Sequence, residues 1–213
     1  MSPLSPVMTA PQPNLSASVL IVTGQSGSGK SVALAALEDA GFYCIDNLPP
    51  ELLDHLLQIF QQGDINAPAI AIGIDARSSE AALTDLPQRI TALKQQYPQL
   101  KIQSLFLEAS VARIVARFSE TRRRHPLSNR NENLLEAIDQ EAHMLIPMRQ
   151  QADLLIDTSY TSVHQIREDL HHRILGQGQA GPTILLQSFG FKNGIPLDSD
   201  FIFDIRCWFI MAI

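Results

Sequence analysis

The residues with the most definite chemistry are Gly24-Gln25-Ser26-Gly27-Ser28-Gly29-Lys30-Ser31. They match the phosphate-binding pattern G-x-x-x-x-G-K-[ST] at every fixed position. Glycines let the backbone close around a triphosphate, so that successive N–H groups face its oxygens and the following helix adds its positive end. In such a loop Lys30 reaches the β- and γ-phosphates, and the Ser31 hydroxyl ligates Mg²⁺. The pattern requires a strand before it and a helix after it. Val19–Thr23 is a short β-branched apolar run suited to a buried parallel strand. Ser31 to Ala40 is rich in Ala and Leu, and Gly41 stands where a helix C-terminal glycine belongs.

Other candidates lie at strand ends. Asp46 follows Lys30 by sixteen residues, where a carboxylate could orient an acceptor hydroxyl or hold Mg²⁺ through water; it could equally cap a helix starting near Pro49. With Lys30 it is a candidate catalytic residue. Asp75 precedes Ala76-Arg77-Ser78 and suits a second Mg²⁺ partner beside Ser31, or simply starts the next helix. Glu108 competes less well, on the expectation that its strand lies further from the loop. Six of the twelve arginines crowd into one stretch, Arg113, Arg117, Arg122, Arg123, Arg124 and Arg130, with His125 among them. Arg122, Arg123 and Arg124 resemble a lid that neutralises charge on a transferring phosphoryl group. A solvated basic face and an RNA-backbone patch are the competing readings. The histidines form no metal-ligand pattern, and His171-His172 reads as surface.

The elements that must position these groups alternate. Strands are expected at Phe42–Ile45, Pro68–Asp75, Lys101–Glu108 and Ala152–Thr158, after the first at Val19. Helices are expected over Pro50–Phe60, Ser79–Tyr97 (interrupted near Pro87), Ser110–Ser119, a stretch ending near Ile146 where Pro147 perturbs it, and Val163–Leu175. Arg113 and Arg117 are placed on the exposed side of the fourth helix. This alternation implies a doubly wound, mainly parallel five-stranded α/β sheet of the P-loop NTPase, kinase-like kind, with ligand at the carboxyl ends of the strands. The domain reading is a flexible extension over 1–17, a nucleotide-binding domain over 18–176, a Gly/Gln linker over 177–182, and the start of a second α/β domain over 183–213.

Composition narrows the classes further. The chain of 213 residues is 45% hydrophobic, enough for a full core. Its net charge of −6 argues against a protein that coats nucleic acid through a general basic field. Only Cys44 and Cys207 are present, which reads as a reduced, cytoplasmic protein rather than a disulfide framework. Met1 to Ala17 carries four prolines and no charge, unlike a signal peptide. No apolar run reaches membrane-spanning length.

The loop and its continuation through Gly41-Phe42-Tyr43-Cys44-Ile45-Asp46-Asn47-Leu48-Pro49 resemble the RapZ/YvcJ nucleotide-binding proteins of bacteria. So do Asp75-Ala76-Arg77-Ser78, Thr121 to Leu127, Ile156-Asp157-Thr158-Ser159 and Ser188-Phe189-Gly190-Phe191-Lys192. The resemblance implies ATP and GTP binding with ATPase and GTPase activity. It assigns ATP to Gly24–Ser31 and GTP to Asp75, Ala76, Arg77 and Ser78. In the enterobacterial branch it also implies an RNase adapter that presents a small regulatory RNA to an endoribonuclease and so controls glucosamine-6-phosphate synthase. That RNA contact depends on a basic C-terminal tail, whereas this sequence ends in the uncharged Cys207–Ile213. A truncated second domain is therefore the expectation here. The alternative is a P-loop kinase of a small molecule or nucleotide, and a homo-oligomer is left open.

Overall fold

The computed structural model describes residues 17–122, 124–128 and 133–174. The chain divides into two units, Met1–Gly178 and Gln179–Ile213, and every described residue belongs to the first. The expected linker, the second domain, most of the N-terminal extension, Arg123 and Arg130 lie outside the described residues.

Five strands, β1 (Ser18–Gly24), β2 (Tyr43–Ile45), β3 (Ala69–Gly73), β4 (Lys101–Glu108) and β5 (Leu154–Asp157), form one sheet in the order β2-β3-β1-β4-β5. Every pairing is parallel. The central strand β1 is buried on both faces because its side chains alternate between two cores. Val19 and Ile21 join Leu53, Leu57, Phe60, Leu83, Leu86, Leu145 and Met148. Leu20 and Val22 join Ala33, Leu34, Leu37, Ile166 and Leu170. Helices α2 (Leu53–Gln62), α3 (Glu80–Gln96) and α5 (Leu134–Gln151) therefore cover one face, and α1 (Lys30–Asp39) and α6 (Val163–Ile174) the other. Helix α4 (Val111–Thr121) packs through Ile114 and Phe118 onto Ile138 of α5.

Local signals explain most helix ends. The N–H of Gly41 returns to Glu38 O and that of Phe42 to Leu37 O, with Gly41 at φ 93°, so the glycine closes α1 as expected. Ser79 caps α3 by accepting the Ala82 N–H, and Asn133 with Glu136 forms a capping box at α5. The expected helix from Pro50 begins as a single 3-10 turn, Pro50–Leu52, before α2.

Two proline expectations are corrected. Helix α3 runs unbroken through Pro87, and α5 runs five residues past Ile146 to Gln151 with Pro147 inside it. A proline removes one helical hydrogen bond and crowds the preceding turn. Here buried Leu83, Leu86, Ile90 and Leu93 anchor α3 on either side of Pro87, which is itself buried. Leu145 and Met148 flank Pro147 in the same way. Apolar burial worth roughly 1.5–3 kcal/mol per large side chain outweighs the local loss.

Candidate functional site

The loop from Gly24 to Gly29 joins the carboxyl end of β1 to α1. Gly24 takes φ 140°, and a Cβ placed on it would lie 2.1 Å from Leu107 O. Only glycine lets β1 and β4 stay paired while the chain turns there. Further along, the N–H of Ser28 donates to Gln25 O at 3.0 Å, closing the turn. Gly29 precedes α1 in a left-handed conformation, and the first amides of α1 have no intrahelical acceptor and face outward from its positive end.

Lys30 folds back over this loop, its Nζ donating to Gly24 O at 2.6 Å and to Gln25 O at 3.1 Å. The residue as a whole is partly buried. Burial pushes its pKa below the ordinary lysine value; Asp75, Glu141 and Asp46 all favour the charge but do not outweigh burial. A bound polyanion would supply the missing counter-charge.

A cavity of about 320 Å³ opens beside the loop, lined by Gly27, Gly29, Lys30 and Ser31 and, from other elements, by Asp75, Arg77, Arg117 and Arg124. The segments expected to serve ATP and GTP thus face one space. Asp75 Oδ1 is buried with no hydrogen-bond partner among the described residues. Its other oxygen lies 3.6 Å from Arg77 Nε. Asp75 and Ser31 both line this cavity, and a carboxylate with an unpartnered oxygen together with a hydroxyl is a donor set that fits a hard divalent cation, which would take its remaining ligands from water and phosphate. Asp75 does not start α3, since Ser79 holds that cap.

The other strand-end acids separate by partner. Asp46 is exposed and beyond the cavity wall, but a Cβ on Gly73 would meet its Oδ1 at 2.7 Å, so it leans across the end of β3. No side chain caps the turn at Pro50, which removes the helix-cap reading of Asp46. Glu108 requires a correction. Its strand is not remote from the loop: β4 pairs with β1 directly, with Gly24 opposite Leu107. The carboxylate is instead taken by Arg149, at 2.5 and 3.0 Å. Asp157 is likewise occupied, by the N–H and hydroxyl of Ser159.

The basic stretch also divides. Arg124 reaches the cavity, whereas Arg122 is exposed and ends α4 in a left-handed conformation at φ 51°. Arg117, expected on an exposed face, is turned inward. Its guanidinium donates to Gly27 O at 2.7 Å, to Thr158 O at 2.8 Å and to Thr158 Oγ1 at 3.1 Å, and the Thr158 hydroxyl donates to Ser28 O at 2.7 Å. The phosphate loop is thereby braced from α4 and from the end of β5. The other loop residues serve the same bracing, with Gln25 Oε1 accepting the Ala109 N–H at 3.1 Å. Ala76, between the cavity-lining Asp75 and Arg77, is buried, and the Ser78 N–H turns back to Asp75 O.

Sequence reasoning passed over Glu141 on α5. Its carboxylate is fully buried and accepts the Ser26 N–H at 3.0 and 2.8 Å and the Ser26 hydroxyl at 2.6 Å. Burial alone would raise its pKa, but hydrogen bonds from His125 and Ser26 and the charge of Lys30 together hold it below the ordinary 4.5. A depressed carboxylate stabilises the fold fully above its unfolded value and loses that contribution as pH falls through the folded value. The charged or chargeable groups facing it are Lys30 and His125. Denaturant titrations should therefore show Glu141→Gln less stable than wild type at neutral pH, with the gap narrowing below about 4.5. A gap independent of pH would contradict a charged Glu141.

Residues 17–178 match the family model of the RapZ-like N-terminal domain. The chain belongs to the RapZ-like family. Among RapZ-like proteins, an "RNase adapter protein RapZ" from Photorhabdus laumondii is 49% identical over 195 residues, covering 88% of this chain and 64% of that protein. A "Nucleotide-binding protein" from Azotobacter vinelandii is 44% identical over 190 residues, covering 89% of this chain and 66% of its own length. The chain thus spans just under two thirds of these relatives. Among solved structures, a sugar kinase from Janibacter superposes with TM-score 0.47 at 15% identity, over 72% of this chain and 91% of that one. Shikimate kinase from Acinetobacter baumannii gives 0.45 at 16% identity, over 71% and 89%. At such distance the strand order itself remains the ground for the fold class. Among the described residues no helix is long and apolar enough to cross a membrane.

Proposed function

We propose that this RapZ-like domain binds ATP and GTP at one Mg²⁺-dependent site and hydrolyses them slowly. The observation that carries the reading is the convergence of Lys30, Ser31, Asp75 and Arg77 on a single cavity built over the phosphate loop. Ser31 and Asp75 are the residues to hold Mg²⁺, which when bound would neutralise charge on the β- and γ-phosphates. Lys30 supplies a desolvated cation to the same oxygens, and Arg124 and Arg117 add positive charge to the cavity lining. Because both nucleotide-associated segments line one space, ATP and GTP compete for it. In the longer proteins of this family, occupancy of the site would set the state of a cytoplasmic RNase adapter that hands a small regulatory RNA to an endoribonuclease and so tunes amino-sugar metabolism. The name borne by the Photorhabdus relative, an RNase adapter protein, supports the adapter part of that reading.

A direct test is equilibrium binding of a fluorescent ATP analogue with Mg²⁺, followed by titration with GTP. Full displacement and one nucleotide per chain are expected, with slow phosphate release. Simultaneous binding of both nucleotides, or of neither, would sink the single-site reading.

A second reading, phosphoryl transfer to a small acceptor, is favoured by one observation. Asp46 leans across the end of β3 and is close enough to Lys30 to favour its charge. A base so placed could take a proton from an acceptor hydroxyl. In the same assay, an acceptor that speeds ATP consumption and gains a phosphate would select this reading over hydrolysis.

A further inference from the structure

Ser26 spends its backbone donor on a protein carboxylate. Its N–H and hydroxyl both point to Glu141, so the anion-facing amides of the loop begin after it. Glu141 also accepts His125 Nε2–H at 3.2 Å, and both side chains are fully buried. His125 Nδ1 accepts the Leu127 N–H at 3.3 Å, which places the imidazole proton on Nε2. The His125 ring packs on Phe118 with centroids 5.2 Å apart, and Phe118 in turn lies 3.3 Å from where a Cβ on Gly27 would stand. The His125 carbonyl receives both the N–H and the hydroxyl of Ser128, at 3.0 and 2.8 Å. The neighbours of His125 on either side, Arg124 and Pro126, line the cavity.

From this network we infer that Glu141 and His125 are positioning residues that lock the phosphate loop and the segment 124–128 into one unit, which makes the placement of Arg124 depend on the shape of the loop. The inference deepens the nucleotide-binding reading and rests on it for its functional meaning. The physical reason for tight coupling is cost. A buried carboxylate that loses either donor set keeps its charge without compensation, so loop and segment release together rather than one at a time. A nucleotide that reshapes the loop would then reposition Arg124, and the reverse holds by linkage. Neither Glu141 nor His125 lines the cavity.

Hydrogen exchange read by mass spectrometry on the ligand-free chain tests the coupling without any nucleotide. The informative effects are the crossed ones. His125→Ala should speed exchange in peptides covering 24–31 by roughly tenfold or more, the factor for about 1.4 kcal/mol of lost protection. Ser26→Ala and Glu141→Gln should speed exchange in 124–128 well beyond the even, smaller rise that any loss of global stability brings to β4 and α3. His125→Gln, which keeps an N–H donor, should restore protection of the loop toward wild type and serves where the alanine variant fails to fold. Unchanged exchange in the loop on removing the His125 donor, or acceleration spread evenly over the domain, would overturn the inference. A second arm measures ATP affinity: Glu141→Gln should weaken binding in wild type but add little to Arg124→Ala, and additive losses would count against coupling. Wild type that binds neither ATP nor GTP would refute the proposed function while leaving the exchange result readable.

Discussion

Replacing Lys30 by Met is expected to remove nucleotide binding while leaving the ligand-free fold close to its original stability. The two effects separate because Lys30 faces opposed demands. Toward a polyphosphate its ammonium makes charge-assisted bonds in an enclosed site, and their loss should weaken affinity on the order of a hundredfold or more. Toward the ligand-free protein it donates to Gly24 O and Gln25 O but carries a charge that burial disfavours, which is why its pKa is lowered. A lysine with a depressed folded pKa costs stability at neutral pH, a cost relieved as pH rises through the folded value toward 10.5. Methionine ends that cost and forfeits the two carbonyl contacts, so the melting temperature should move by no more than about 3 °C, the shift for roughly 1 kcal/mol in a chain this long. Calorimetry beside a binding titration checks both halves. Retained affinity would remove Lys30 from the site, and a collapse in melting temperature would make it a structural residue instead.

The second large effect concerns stability. Gly24→Ala should destabilise the domain by about 4 kcal/mol or more, because the new methyl meets backbone with no freedom to move. The Cβ would stand 2.1 Å from Leu107 O and 2.8 Å from Leu107 N, both part of the β1–β4 pairing. Gly41→Ala is the matched control. It too has a positive φ, 93°, but nothing lies within 4 Å of its Cβ. There only the left-handed strain of roughly 1–2 kcal/mol applies. Urea unfolding of the two variants should rank Gly24→Ala far below Gly41→Ala, with the former recovered largely in aggregates. Equal losses would mean that backbone strain alone, and not the close approach of β4, makes Gly24 obligatory.

The readable parts of this chain were those whose cause is local. A loop that must wrap phosphate needs its glycines, lysine and serine in one order, and the alternating apolar runs each announce a buried strand. Strand β4 matches its expected bounds, Lys101–Glu108, because alternation and charge mark both ends. Helix ends written in the chain, Gly41 and Ser79, were legible for the same reason. Pro87 and Pro147 were misread because a proline's local penalty is visible in sequence while the core contacts that outweigh it are not.

The site itself was legible only in part. That the protein belongs among phosphate-loop α/β folds, and that Lys30, Ser31 and Asp75 could share one chemistry, followed from residue types and spacing. Which acids and bases stay available was decided by the tertiary structure. Glu108 is lost to Arg149, 41 residues on, while Asp75 keeps an unpaired oxygen and Arg117 turns from solvent to the carbonyls of Gly27 and Thr158. Glu141 looks in sequence like one more polar residue of a helix, yet it binds Ser26 across 115 residues of chain. Charge and hydrogen bonding act through space, and only the packing of α4 and α5 against the end of β1 brings those partners within reach.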